Sequence, residues 1–461
     1  MRGKRRQKTL FVLPITLLIF VILCSSIIVS PIFATDGTNE AWELEVGRNI
    51  SGLAVVDGKV FTTTHAADLL CLDQQNGQTL WTHNFGEYSG GGFLTAPVVA
   101  DGRVFVGSRG STLNCLDENN GSILWQFTPN LTSSFAFKTA PSFSVADGKA
   151  FTTGDGFYVL NASTGKLLWG YQNYNSMPDF VGGWPYPDGK VFGTGMESIN
   201  KEWIYHLYRF DPNNGTILWK LKLYVRQAPL SENERLIVWS YDEGQTMLCL
   251  DETDGSTLWS YNVGATVFQP TAYNGLSLFG ASNGGFYALN VSDGTFKWEY
   301  QTMTQIVPRG SVAPQVASGK VFISYEDGYI RSLNLSNAHS IWAAPISSDV
   351  SSLTLGNDTL YAIAGASTYM SGTKLYSIDL DNGNINWVLN FTYWVLPPIY
   401  AYDKLFVAAD LKIIAYGEPE PAKNEVLWGL LITGGIISVG AVITVALYWL
   451  RRRRIYLKGI Q

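Results

Sequence analysis

Eight times along this chain an Asp or Asn is followed eight residues later by a Trp. The pairs are Asp73/Trp81, Asp117/Trp125, Asn161/Trp169, Asp211/Trp219, Asp251/Trp259, Asn290/Trp298, Asn334/Trp342 and Asp379/Trp387. In seven of them a Gly sits four residues after the first member: Gly77, Gly121, Gly165, Gly215, Gly255, Gly294 and Gly383; Ala338 stands at that place in the other. The Trp residues recur at intervals of 44, 44, 50, 40, 39, 44 and 45 residues. A period of this kind demands a repeat architecture, in which each unit buries its apolar face against the next.

The unit from Leu94 to Phe127 shows what repeats. Ala96 to Ala100 is a short apolar run, and Asp101-Gly102 is a two-residue hairpin signal because Gly accepts positive φ without steric cost. Arg103 to Gly107 is rich in β-branched and aromatic residues that suit a pleated strand, and Leu113 to Leu116 is a third strand. Asp117 to Gly121 is a turn whose Asp side chain caps backbone N–H groups, and Ser122 to Phe127 is a fourth strand carrying Trp125. Four short antiparallel strands per roughly 40–45 residues describe a propeller blade. The first hairpin recurs as Asp57-Gly58, Asp147-Gly148, Asp188-Gly189, Asn274-Gly275 and Ser318-Gly319, with Glu234-Arg235 and Asn357-Asp358 as degenerate versions. A Trp at one place in every blade is read as a docking ring that buries apolar area on the next blade.

This Asp/Asn-x3-Gly-x3-Trp pattern resembles the tryptophan-docking repeat of the PQQ-like β-propellers, over about Ala41 to Gly417. That superfamily includes quinoprotein alcohol dehydrogenases and the bacterial propeller of outer-membrane protein assembly. The resemblance implies an all-β propeller of four-stranded antiparallel blades. After Trp387 come three strand candidates, Leu396 to Ala401, Lys404 to Ala408 and Lys412 to Tyr416. Ala41 to Val46, with Trp42 39 residues before Trp81, is the candidate to complete the last sheet and so avoid two open edges. A literal count then gives nine blades, whereas family precedent favours eight; eight is the expectation and nine the alternative.

Arg2, Lys4, Arg5, Arg6 and Lys8 precede an apolar run from Leu10 to Phe33, which reads as a signal peptide or N-terminal anchor over 1–34. Val426 to Leu450 is an uncharged apolar stretch long enough for a transmembrane helix, and Arg451 to Arg454 follow it. The positive-inside rule puts this end, with the basic tail 451–461, in the cytoplasm. The propeller, 41–417, then lies outside on the linker 418–425, single-pass, or two-pass if the first segment is uncleaved. All 38 acidic residues fall between 35 and 425, against 22 of the 32 basic ones, a net of about −16 (22 − 38) for the outer domain. That excess disfavours nucleic acid as a partner.

Nine Asn-x-Ser/Thr sequons suit a surface-exposed chain. Asn49, Asn120, Asn130, Asn214, Asn357 and Asn390 are glycosylation candidates, while Asn161, Asn290 and Asn334 occupy turn-capping positions that engage their side chains. Cys71, Cys115 and Cys249 hold equivalent or near-equivalent sites in different blades, too far apart to bridge, and read as buried thiols.

In a blade the first and third turns share one face, and the middle turn and the link onward share the other. The first face is uniform. The insertions Gly86 to Phe93, Asn173 to Pro187, Met196 to Ile204 and Ala366 to Gly372 fall on the second, where function is expected. Tyr174, Asp179, Phe180, Trp184 and Tyr186, with Trp203, are the candidate contacts for a protein or glycan. Quinoprotein dehydrogenases hold PQQ and Ca²⁺ through carboxylate and amide side chains, and many carry an adjacent Cys-Cys pair. This chain has no such pair, its His65, His83, His206 and His339 lack metal-ligand spacing, and no catalytic residue or metal ligand is assigned. The leading reading is a membrane-anchored binding or scaffold module without enzyme activity. A PQQ-dependent dehydrogenase and an envelope-protein assembly factor are the alternatives.

Overall fold

The computed structural model describes residues 39–417, apart from 87–93, 130–141, 154–155, 173–178, 186–188, 200–201, 226–227, 241–245, 269, 303–305, 310–311, 347–348 and 366–371. Among the described residues, thirty-six strands form nine four-stranded antiparallel sheets, so the propeller has nine blades and not the expected eight. Blades 1 to 8 span 50–84, 98–127, 143–172, 179–222, 230–262, 271–301, 315–345 and 350–391. Blade 9 joins Ile399–Ala401, Lys404–Ala409 and Lys412–Gly417 to the first strand of the chain, Glu40–Glu45, which pairs antiparallel with Lys412–Gly417. The literal repeat count held because Trp42 belongs to a complete repeat whose halves come from opposite ends of the domain. The expected signal 1–34, linker 418–425, span 426–450 and tail lie outside the described residues. No helix among the described residues is long and apolar enough to cross a membrane.

The first hairpins turn as their sequences require. Asp57-Gly58, Asp101-Gly102, Asp147-Gly148, Asn274-Gly275 and Ser318-Gly319 all have two successive positive φ angles. In blade 5 those angles fall on Asn233 and Glu234, so the turn sits one residue earlier than the expected Glu234-Arg235.

The core consists of nine apolar layers, each between two adjacent blades. Successive residues of a strand point to opposite sides, so Val60 packs with blade 9 and Phe61 with blade 2.

A second device repeats on top of this packing. Eight of the nine docking Trp residues donate the indole N–H to the carbonyl one residue after the capping Asp or Asn of the next blade. Trp42 reaches Gln74 at 2.9 Å, Trp81 Glu118 at 3.0 Å, Trp125 Ala162 at 3.1 Å and Trp169 Pro212 at 3.0 Å. Trp219 reaches Glu252 at 2.8 Å, Trp259 Val291 at 2.9 Å, Trp298 Leu335 at 2.8 Å and Trp342 Leu380 at 3.0 Å. The turn Gly lies flat on the same ring: a Cβ on Gly121 would meet Trp81 at 2.4 Å, and one on Gly77 would meet Trp42 at 2.5 Å. The Asp side chain shapes the turn from inside, Asp73 Oδ1 accepting the N–H groups of Gln75 and Asn76. The Trp ladder is therefore structural, as its recurrence implies.

The outermost strand of every blade is bulged just before its Trp. In blade 1 Leu72 pairs with Thr79 and Cys71 with Trp81, so Leu80 has no partner across the ladder. The same shift occurs at Leu124, Leu168, Leu218, Leu258, Lys297, Ile341, Asn386 and Ala41. A bulge kinks an edge strand, blocks edge-to-edge pairing and turns the Trp toward the next blade while its predecessor is thrown outward.

Candidate binding face

Hydrogen bonds between neighbouring turns define a regular face. Gln74 N–H donates to Gly58 O, Glu118 to Gly102 O and Val291 to Gly275 O, placing the first and third turns of a blade side by side. Glycosylation candidates Asn120, Asn214 and Asn357 lie exposed on this face, and Asn49 and Asn390 are exposed elsewhere. Asn130 lies outside the described residues. Asn161, Asn290 and Asn334 accept backbone N–H groups of their own turns, as their position predicts.

The opposite face corrects the sequence expectation. Tyr174 and Tyr186, with 87–93 and 366–371, lie outside the described residues. Asp179, Phe180 and Trp184 are not on a free loop: Asp179–Pro185 is the innermost strand of blade 4, pairing Asp179 with Met196, Phe180 with Gly195 and Trp184 with Phe192. Gly182, Gly183 and Pro185 imitate loop punctuation, but the glycines sit against Thr194 and Gly193 near a register shift and so mark a bulged strand. Trp203 pairs with Ser198 near the tip of a long hairpin, Val191–Ile199 with Glu202–Phe210, so Met196 to Ile204 is also mainly strand.

The structure brings forward residues that sequence reasoning passed over. In the link from blade 8 to blade 9, Tyr393 and Trp394 are 51% and 43% exposed. They are not floppy: Asp410 accepts the N–H of Thr392 at 3.0 Å and of Tyr393 at 2.8 Å, and Leu396 N–H reaches Ala408 O at 3.1 Å. Trp394 lies against the His65 ring of blade 1, centroids 6.3 Å apart. Beneath them a shallow pocket is lined by Asn49, Ile50, Leu396 and Leu411. Burial pushes the His65 pKa below its ordinary value, which favours the neutral imidazole at pH 7. The signal available in sequence was Tyr-Trp beside a turn-forming Asp-Leu, which is weak without knowing that the two meet.

Elsewhere on the face, Arg331 lies over the rings of Tyr325 and Tyr329, 4.7 and 5.4 Å from their centroids, and pairs in a fork with Asp327. Burial of Asp327 opposes its ionisation, but the Arg331 and backbone hydrogen bonds outweigh it and hold the carboxyl below its usual range. Asp327 and Arg331 are committed to each other, and the cluster reads as a brace.

Cys71, Cys115 and Cys249 are buried, with burial pushing their pKa values up to about 12, 12 and 11, so they are inert thiols and not nucleophiles. Among the described residues no three His, Cys, Asp or Glu side chains gather where a metal ion could be held.

The sequence profile of the family described as "Outer membrane protein assembly factor BamB" matches residues 29–179 and 205–426. BamB of Yersinia pestis is 29% identical over 128 residues, which cover 26% of this chain and 32% of that protein. The chain thus spans about a third of the length of that curated relative. Among solved structures, the computationally designed Ika8 protein is similar in fold, with a TM-score of 0.51 and 16% identity over 74% of this chain and all of that one. BamB from Moraxella catarrhalis has a TM-score of 0.49 and 15% identity over 82% of this chain and 97% of that one. With its profile match extending over most of the sequence and a docking Trp in each of nine blades, the chain belongs to the PQQ-like β-propeller repeat family that includes the BamB proteins.

Proposed function

We propose that this protein is a membrane-anchored propeller that holds a protein partner on its irregular face, outside the cytoplasmic membrane, and performs no catalysis. One observation carries the reading. Tyr393 and Trp394 are exposed, aromatic and fixed by the Asp410 cap over a shallow apolar pocket, the kind of anchor that dominates protein interfaces. Large rings presented rigidly lose little entropy on binding. The span at 426–450 and its arginines supply the anchor, with the C-terminus in the cytoplasm. Glycan at Asn49 and Asn390, the exposed sequons away from the regular face, is part of the same reading.

The family description favours a more specific role, in which the bound partner is an envelope protein under assembly. A dehydrogenase using PQQ and Ca²⁺ is disfavoured by the absence of an adjacent Cys-Cys pair from the sequence.

A photo-crosslinking residue placed at Tyr393 in intact cells tests the proposal. It is expected to give a discrete protein adduct that disappears with Trp394→Ala. A probe at Tyr402, exposed on the opposite face, is expected to give none of that adduct. Equal adducts from both positions would remove the support for this face.

A further inference from the structure

The bulge leaves a second surface. Five consecutive blades carry Leu at the bulged position, and Leu80, Leu124, Leu168, Leu218 and Leu258 are between 40% and 49% exposed. Blade 7 carries Ile341 there, 42% exposed, and Ile123, Leu167 and Phe296, one residue earlier, are exposed as well. The remaining positions are Lys297, Asn386 and Ala41, so no bulge bears a carboxylate, in a domain with about 16 more acids than bases. These side chains are not spread over the outer wall. Leu80 lies three residues after Gly77, and at about 3.3 Å per residue the bulge is within ~10 Å of the regular face. Equivalence of the blades puts the others at the same height, and the result is an apolar arc around the rim of that face.

Both ends of the domain leave from this face. Gly417 N–H donates to Asn39 O at 2.7 Å, so the two chain ends lie side by side where blade 9 lacks its third turn. The eight residues 418–425 then separate Gly417 from the apolar segment 426–450, a tether of at most about 29 Å. Tethered so closely, the regular face and its leucine rim are held within reach of the bilayer.

We propose that the regular face lies against the membrane, with the leucine rim of blades 1 to 5 resting in the lipid interface and the aromatic face turned away. The inference rests on the anchor reading above. The contact is apolar, so it takes zwitterionic lipid and depends little on salt, unlike a basic surface on anionic lipid.

The test uses the full chain in phosphatidylcholine vesicles, in a Cys24→Ser background. The three remaining thiols are buried with raised pKa values, so a single introduced cysteine is labelled selectively. Fluorophores at L124C, L168C and L218C are compared with one at S282C, exposed on the middle turn of blade 6. With nitroxide-bearing lipid, the rim labels are expected to lose most of their emission and S282C little, unchanged at high salt. A chain that resists carbonate extraction while its rim labels remain as bright as S282C overturns the rim contact alone. A chain that carbonate strips off overturns the anchor as well. Rim labels shielded only when another protein is added also overturn it. Leu124→Asp with Leu168→Asp is expected to abolish quenching at Leu218 without lowering the melting temperature, because these side chains are exposed; retained quenching contradicts the proposal.

Discussion

The joint between blades 4 and 5 and the joint between blades 8 and 9 are built from the same strands and held differently. At the first, Glu252 gathers four side chains from two blades, the guanidinium of Arg209 donating to its carbonyl beside the three that follow. Its carbonyl accepts Trp219 Nε1–H at 2.8 Å, and its carboxylate accepts Lys190 Nζ–H at 2.5 Å and Ser231 Oγ–H at 2.6 Å. Gly255 closes on the Trp219 ring. At the second, Trp387 is equally buried but its Nε1–H has no hydrogen-bond partner among the described residues. Its ring meets Tyr361 and Tyr416, and Thr354 Oγ–H reaches Pro398 O at 3.1 Å. The cause is topological: blade 9 takes its third and fourth strands from opposite ends of the domain, so no turn joins them to receive the Trp. The comparison teaches that blade docking is a separable device laid over apolar packing, and that closing the ring sacrifices one copy of it.

The largest effect should come from removing a docked ring. Trp219→Ala is expected to lower unfolding free energy in denaturant by roughly 3–5 kcal/mol, through lost burial and a vacated cavity. Trp387→Ala should cost less by about 1 kcal/mol, since no hydrogen bond is broken. Equal losses would mean the missing turn has no energetic consequence.

Next come the glycines. Gly121→Ala places a Cβ 2.4 Å from Trp81 at φ +70, and is expected to cost about 2–3 kcal/mol. Gly102→Ala has nearly the same φ, +71, but open space around it, so only strain of about 1 kcal/mol is expected. Ala338, at φ 59 in blade 7, shows that a neighbouring ring can yield somewhat. Equal costs at Gly121 and Gly102 would mean that the ring contact contributes nothing and that Gly is there for φ alone.

A smaller effect concerns His65, beside the closing blade. Its folded pKa is lowered by burial, so below about pH 6.5 the unfolded chain takes up the proton first and stability falls. Between pH 7.5 and 5.5 the melting temperature of His65→Gln should fall less than that of the native protein. An identical fall would show that the imidazole is not desolvated against Trp394.

Much of the fold was legible because a Trp on a fixed period has one economical use. Nine blades rather than eight could also be read from Trp42, and the count erred only where family precedent displaced it. The binding face was less legible. Trp184 reads as a loop aromatic because Gly-Gly and Pro surround it, yet the same glycines serve a bulged inner strand. The exposure of the Leu before each of five docking Trp residues was not legible, because only the bulge turns it outward. Tyr393 and Trp394 were silent because their support, Asp410, comes from a turn that only the folded blade brings near.

The central claim, eight docked joints and one undocked, is tested most directly by replacing each of the nine tryptophans, Trp42 included, with Phe and measuring unfolding free energy. Phe keeps an aromatic ring and removes the indole donor. Eight replacements should each cost about 1 kcal/mol more than Trp387→Phe, which no longer buries an unpartnered N–H. A Trp387→Phe loss equal to the other eight would contradict the account.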